Sequence, residues 1–167
     1  MPELPEVATI AKDLKKSIVG TTIIEFFSTS PQQIIPSLTV VKKAIERAKI
    51  IDVQRRAKLI LLVLKTDKED KKYLGIHLKM TGRLLLRKTG EKEDLFTRAV
   101  FTLEKTRQLR FCDVRKFGYL RLFINEKELQ KMVHARLGPE PFSGDFSTVY
   151  LKEKLKSRSI NIKALIM

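Results

Sequence analysis

The 167 residues include 34 lysines and arginines against 19 aspartates and glutamates, giving a net charge of +15 and a pI near 10.0. A hydrophobic fraction of 43% argues against a disordered chain, and no apolar run approaches the roughly 20 residues that span a bilayer. One cysteine, Cys112, excludes an internal disulfide and a multi-cysteine zinc cluster, and two histidines leave little else for a metal site, so no metal and no cofactor are expected in this chain.

The chain opens Met-Pro-Glu-Leu-Pro-Glu. Glu3, Glu6, Lys12 and Asp13 interrupt its apolar stretch, which is therefore no secretory signal, and a reduced cytoplasmic compartment fits. If Met1 is removed, Pro2 becomes an N-terminal secondary amine with two carboxylates, Glu3 and Glu6, close behind. An α-amino group titrates at about 7.7–8.0, so part of it is nucleophilic at neutral pH, and a secondary amine condenses with aldehydes or sugar carbons to give an iminium ion. The same residues also suit an ordinary helix start, with Pro5 in the first turn and Glu6 complementing the dipole.

Val7, Ile10, Leu14 and Ile18 make one helical stripe, which Gly20 closes. Thr21–Phe27 is predicted as a strand, Ser28 to Pro36 as a loop, and Ser37 as the cap of a short helix reaching about Ala44. A dense β region follows, with strands at Ile50–Val53, Leu59–Lys65, Tyr73–Leu78, Arg83–Arg87, Thr97–Leu103, Gln108–Cys112 and Gly118–Phe123. Glu126–Val133 reads as a helix, Leu137-Gly-Pro-Glu-Pro141 as a stiff linker, and Ser147 to Leu165 as a basic helical segment. The fold class is α+β: a two-layer antiparallel β-sandwich flanked by an N-terminal helix and a second short helix. The expected division is 1–134 for the sandwich, 135–146 for the linker and 147–167 for the start of an incomplete helical domain, the front part of a longer protein.

Three basic patches follow the Pro-Glu opening. Gln54-Arg-Arg-Ala-Lys58 places three cations at the mouth of a buried strand, a phosphate-binding arrangement in which Lys58 is best placed to project. His77-Leu-Lys-Met-Thr-Gly-Arg83 runs from strand into turn and puts Met80 at the tip, between Lys79 and Arg83. Asp113-Val-Arg-Lys-Phe-Gly118 interleaves Arg115 and Lys116 with Phe117. Apolar or aromatic side chains among cations suit insertion into a base stack, although each residue alone is equally well explained as core filler or a solvated face. The charge surplus favours nucleic acid over membrane as the partner.

These pieces, with Leu137-Gly-Pro-Glu-Pro141, occur in the order found in the bacterial formamidopyrimidine-DNA glycosylases, which the chain resembles over essentially its whole length. The Glu-Leu-Pro opening resembles this branch and not its endonuclease VIII cousins. The resemblance implies a monomeric, cytoplasmic repair enzyme that acts at the nucleoid on damaged double-stranded DNA, excising oxidised purines and cleaving the strand by elimination. It implies that Pro2 attacks C1′ and forms a Schiff base, that Glu3 donates the proton at the sugar, that Glu6 supports the site, and that Lys58 contacts phosphate. Met80, Arg115 and Phe117 match residues that fill the gap left by the lesion, His77 matches a DNA-binding position, and Arg158 and Lys163 match basic positions near the lesion. Phe96 stands where the family usually has histidine and Val114 where it has proline. The family's helix-two-turn-helix domain has barely begun when the sequence stops, and its zinc finger is not reached. The alternative is a catalytically idle basic domain that binds DNA or RNA non-specifically; a ribosome-associated protein leaves the ordered motifs unexplained.

Overall fold

In the computed structural model, residues 1–104, 106–156 and 161 are described. The chain begins with α1 (Leu4–Ile18), whose buried face is Val7, Ala11, Leu14 and Ile18, with Ile10 at its rim. Alanine therefore takes the central place that the sequence gives to isoleucine. Gly20, at φ +87°, ends the helix and donates its N–H to the Ile50 carbonyl at 2.8 Å, a left-handed conformation that glycine adopts without a Cβ penalty.

The remaining elements are β1 (Ile23–Ser28), β2 (Ile34–Ile35), α2 (Leu38–Ile45), β3 (Lys49–Arg56), β4 (Leu59–Lys65), β5 (Lys71–His77), β6 (Gly82–Lys88), β7 (Thr97–Leu103), β8 (Arg107–Asp113), β9 (Tyr119–Phe123), α3 (Glu126–Arg136) and α4 (Thr148–Lys156). Four strands form one sheet in the order β1-β7-β8-β6, and five form the other in the order β2-β9-β5-β4-β3. Every pairing is antiparallel except that of β2 with β9. The fold is thus the α+β sandwich expected from the sequence, with α1 packed against β3 and β4.

Two stretches depart from the sequence reading. The predicted loop from Ser28 to Pro36 contains a 3₁₀ turn at Pro31–Gln33 and the short β2, because Ile34 and Ile35 find partners in Leu120 and Arg121. The predicted strand Ile50–Val53 runs on through Arg56, because Gln54, Arg55 and Arg56 continue the ladder opposite Leu61, Ile60 and Leu59. Their polar side chains hide the strand from a hydrophobicity reading, whereas the backbone pairing does not depend on them.

Strand β4 explains the position of the core. Ile60, Leu62 and Leu64 face the sandwich interior with Phe26, Phe101, Phe111 and Leu74, while Leu59, Leu61 and Val63 face a second cluster with Tyr73, Phe123, Leu129 and Val133 under α3. A strand covered on both faces loses the polar alternation of a half-exposed one, and each such side chain contributes about 1.5–3 kcal/mol on burial. Asn125 caps α3 by accepting the Glu128 N–H at 2.9 Å. Among the described residues no helix is long and apolar enough to cross a membrane.

Candidate active site and nucleic-acid interface

The N-terminus of α1 is fastened by its own acids. Glu6 reaches back to accept the Glu3 N–H at 2.9 Å, and the Val7 N–H bonds to the Glu3 carbonyl at 3.0 Å. This closes a capping arrangement that orients the peptide carrying Pro2. The Glu3 carboxylate is exposed and meets the Lys58 ammonium at 2.6 Å. That hydrogen bond, opposed by slight desolvation and aided by the charge of Lys58, holds the Glu3 carboxyl below its ordinary range.

Lys58 stands on the tight turn between β3 and β4, where Ala57 takes a left-handed φ of +48°. The turn is pinned from 83 residues away: Glu140 accepts the Ala57 N–H at 2.7 Å. The same carboxylate pairs with Arg55 at 2.5 Å and Arg56 at 2.6 Å, and Arg56 also donates to the Gly138 carbonyl at 2.6 Å. Burial resists ionisation of Glu140, but the bonds from Arg55, the Ala57 N–H and Arg56 outweigh it and bring its carboxyl down to about 2. Two of the three cations that the sequence groups are therefore committed to a carboxylate, and Lys58 alone of them faces the N-terminal acid. Sequence reasoning missed Glu140. The available signal was an acid bracketed by Pro139 and Pro141, rigidly presented opposite an Arg-Arg pair.

Beside Lys58 lies a cavity of about 250 Å³ walled by Arg56, His77, Tyr119, Arg121, Phe123 and Met132, among others. His77 is half-buried and stacks on Tyr119 with ring centroids 5.3 Å apart. Burial, then the charges of Lys79 and Lys58, lower its pKa to about 4, so the ring is neutral at physiological pH. Its Nδ1 accepts the Lys79 N–H at 3.1 Å, which leaves the proton on Nε2 and makes His77 an uncharged donor.

Two neighbouring turns carry the other predicted residues. Met80 is 45% exposed and Phe117 is 52% exposed, and the Arg115 guanidinium lies 4.7 Å from the Phe117 ring centroid. Phe96 and Val114, where the sequence departs from the family, are also exposed, and Arg98 lies over the Phe96 ring at 5.8 Å. Asp113, wholly buried, accepts from Thr81, Gly118 and Gln33 at the base of both turns. Gly118 has no room for a side chain there, since a Cβ would lie 2.7 Å from Phe111 and 2.9 Å from the His77 carbonyl. The structure thus joins Glu3, Glu6 and Lys58 at one end of α1, sets His77 in the cavity that Lys58 also lines, and holds Met80, Arg115 and Phe117 on adjoining turns. Arg158 and Lys163 lie outside the described residues. Among the described residues no group of three or more His, Cys, Asp or Glu side chains is placed to hold a metal ion.

The two-sheet sandwich is shared with solved structures of proteins bound to DNA that carries a lesion or its analogue. The structure superposes on that of MutM in complex with DNA containing carbocyclic 8-oxo-G with a TM-score of 0.89 and 30% sequence identity, over 99% of this chain and 63% of that one. It superposes on Lactococcus lactis Fpg in complex with DNA containing an abasic site with a TM-score of 0.88 and 31% identity, over 98% of this chain and 59% of the other. Residues 1–120 match the formamidopyrimidine-DNA glycosylase N-terminal domain, and the chain belongs to that family. It is 39% identical to the formamidopyrimidine-DNA glycosylase of Heliobacterium modesticaldum and 33% identical to that of Bacillus cereus, in each case over its full length. It spans about 60% of the length of these curated relatives.

Proposed function

We propose that the chain is the catalytic N-terminal portion of a DNA glycosylase with abasic-site lyase activity, acting on oxidised purines in duplex DNA. The observation that carries the reading is the 2.6 Å contact of Glu3 with Lys58 directly after Pro2, in a chain that belongs to this family. The target sugar is inaccessible inside the base stack, so the nucleotide must be flipped out, with Met80, Arg115 and Phe117 filling the gap. Once Met1 is removed, the Pro2 nitrogen lone pair attacks C1′. The bond from C1′ to the base breaks, and its electron pair leaves with the base, which takes a proton from solvent. The Pro2 nitrogen passes its N–H proton to the Glu3 carboxylate. Glu3 donates a proton to the ring oxygen as the sugar opens to an iminium ion on Pro2. Loss of a proton from C2′ then expels the 3′ phosphate, and water releases the amine.

Glu3 is held ionised while Lys58 touches it, so it is ready to take the proton that the Pro2 nitrogen sheds, and Lys58 turns to a backbone phosphate as that carboxyl becomes neutral. His77 adds a neutral hydrogen bond to phosphate through Nε2, and Arg158 and Lys163 approach the DNA near the lesion. No cofactor enters these steps. Borohydride reduction on an abasic oligonucleotide tests the scheme. A covalent adduct is expected from the Met1-free chain and none from a chain with an extended N-terminus, in which Pro2 is an amide. The net charge of +15 supports a second reading, a basic domain that binds DNA or RNA non-specifically and without turnover. Salt-sensitive binding with no adduct in either form would establish that reading instead.

A further inference from the structure

The predicted gap-filling residues sit on two separate turns, 79–81 and 114–118, yet both turns leave the four-stranded sheet at one rung. Gly82 of β6 is paired with Asp113 of β8, so Thr81 and Val114 begin the two turns side by side. Each turn contains a lysine in the left-handed region, Lys79 at φ +52° and Lys116 at φ +56°. Neither is an intrinsically favoured conformation, so both depend on their surroundings. The surroundings are a continuous chain of hydrogen bonds. The Arg115 N–H donates to Thr81 Oγ1 at 3.1 Å, and the Thr81 hydroxyl donates to Asp113 Oδ1. Asp113 Oδ2 accepts the Gly118 N–H at 2.8 Å and Gln33 Nε2 at 3.1 Å, and Gln33 also donates to the Gly118 carbonyl at 2.8 Å.

Among the described residues, the hydroxyl of Thr81 is the single side-chain atom that belongs to the first turn and bonds to the second. It uses its one proton on Asp113, a wholly buried carboxyl that would lose this partner without it, and a lone pair on the Arg115 N–H. We infer that Thr81 is a positioning residue that couples the two turns, so that Met80 and the Arg115–Phe117 pair enter a duplex as one wedge. The inference rests on the DNA reading proposed above and adds to it a specific prediction: insertion is cooperative, because neither turn moves alone.

A double-substitution cycle tests this with the full chain, free of Met1, on a duplex carrying an uncleavable abasic analogue and 2-aminopurine opposite the gap. The readout is the extent of base unstacking. In the wild-type background, Met80→Ala and Phe117→Ala are expected to be non-additive, with a coupling of about fivefold or more. In a Thr81→Val background the two effects should multiply independently, while Thr81→Ser, which keeps the hydroxyl, should restore the coupling. Gln33→Leu is the structural control: it removes two hydrogen bonds to the same rung and should lower stability with the coupling intact. Additive effects in the wild-type background overturn the inference whether or not Thr81→Val folds, as does coupling that survives Thr81→Val or is lost equally in Gln33→Leu. If neither Met80→Ala nor Phe117→Ala changes the signal, the DNA reading itself fails and the coupling fails with it. A measurable single effect without coupling leaves the DNA reading standing and removes only the wedge.

Discussion

At His77, burial and two neighbouring lysines act in the same direction, so the ring stays neutral down to about pH 4. A neutral donor to phosphate releases no counterion, whereas a lysine does. His77→Gln is therefore expected to weaken DNA binding with the salt dependence unchanged, while Lys58→Ala should flatten the slope of log K against log salt by about one; titration at several salt concentrations separates the two. At Glu3 the Lys58 ammonium favours the carboxylate. Lys58→Met should accordingly raise the Glu3 midpoint toward the ordinary glutamate range, as read by carboxyl-carbon NMR of the free chain.

Glu140 gives a pH prediction with a definite sign. Its folded-state pKa of about 2 lies below the ordinary value of 4.5, so the unfolded chain binds more protons between those values. The stabilisation is fully present above pH 4.5 and is lost as pH falls through about 2. Glu140→Gln should cost about 1–3 kcal/mol at neutral pH and flatten this part of the acid limb, measured by urea unfolding at a series of pH values. His77 contributes in the same sense at higher pH, from its ordinary 6.5 down to about 4, where protonation of the unfolded chain draws it away from the folded one.

Among the elements, the two turns at the end of the β6–β8 ladder are limited by steric space. A Cβ on Gly82 would lie 2.4 Å from the backbone carbonyl oxygen of Leu78 and 2.8 Å from its Cα, and one on Gly118 would lie 2.7 Å from the Phe111 ring and 2.9 Å from the His77 carbonyl. Gly82→Ala should therefore be the more damaging substitution, since all three of its closest contacts are backbone atoms of Leu78 and the nearest is tighter than any at Gly118. About 1–3 kcal/mol is the usual cost of overpacking, and thermal melts of both variants would rank them. How much could be read in the sequence also divides at this scale. The α1 stripe, the Ser37 cap and the β4 run were legible because hydrophobic spacing or cap chemistry is local. The end of β3, the short β2 and the carboxylate of Glu140 were not, because each is defined by a partner distant in the chain. Met80 and Phe117 could be placed on turns from their flanking residues, but their common anchor on Asp113 and Thr81 required the strand register.

Over the whole molecule, a net charge of +15 supplies attraction for a polyanion without specifying sequence. Binding to an undamaged duplex should weaken steeply with salt, and discrimination for an abasic duplex should fall less steeply, because it draws on insertion as well as on phosphate contacts. Competition assays at two ionic strengths measure both.

The clamp that Glu140 closes on the Lys58 turn has one more consequence. Its central bond is to a single backbone amide, that of Ala57, in a left-handed turn that has no ladder partner at that position. The hydrogen-exchange rate of this one amide reports directly whether the segment around Glu140 is seated. Ala57 should exchange slowly at neutral pH and open to solvent in Glu140→Gln, while Leu59, on the internal strand β4, keeps its protection. One amide thus serves as a gauge of how firmly residues following the sandwich hold the lysine that meets the N-terminal acid.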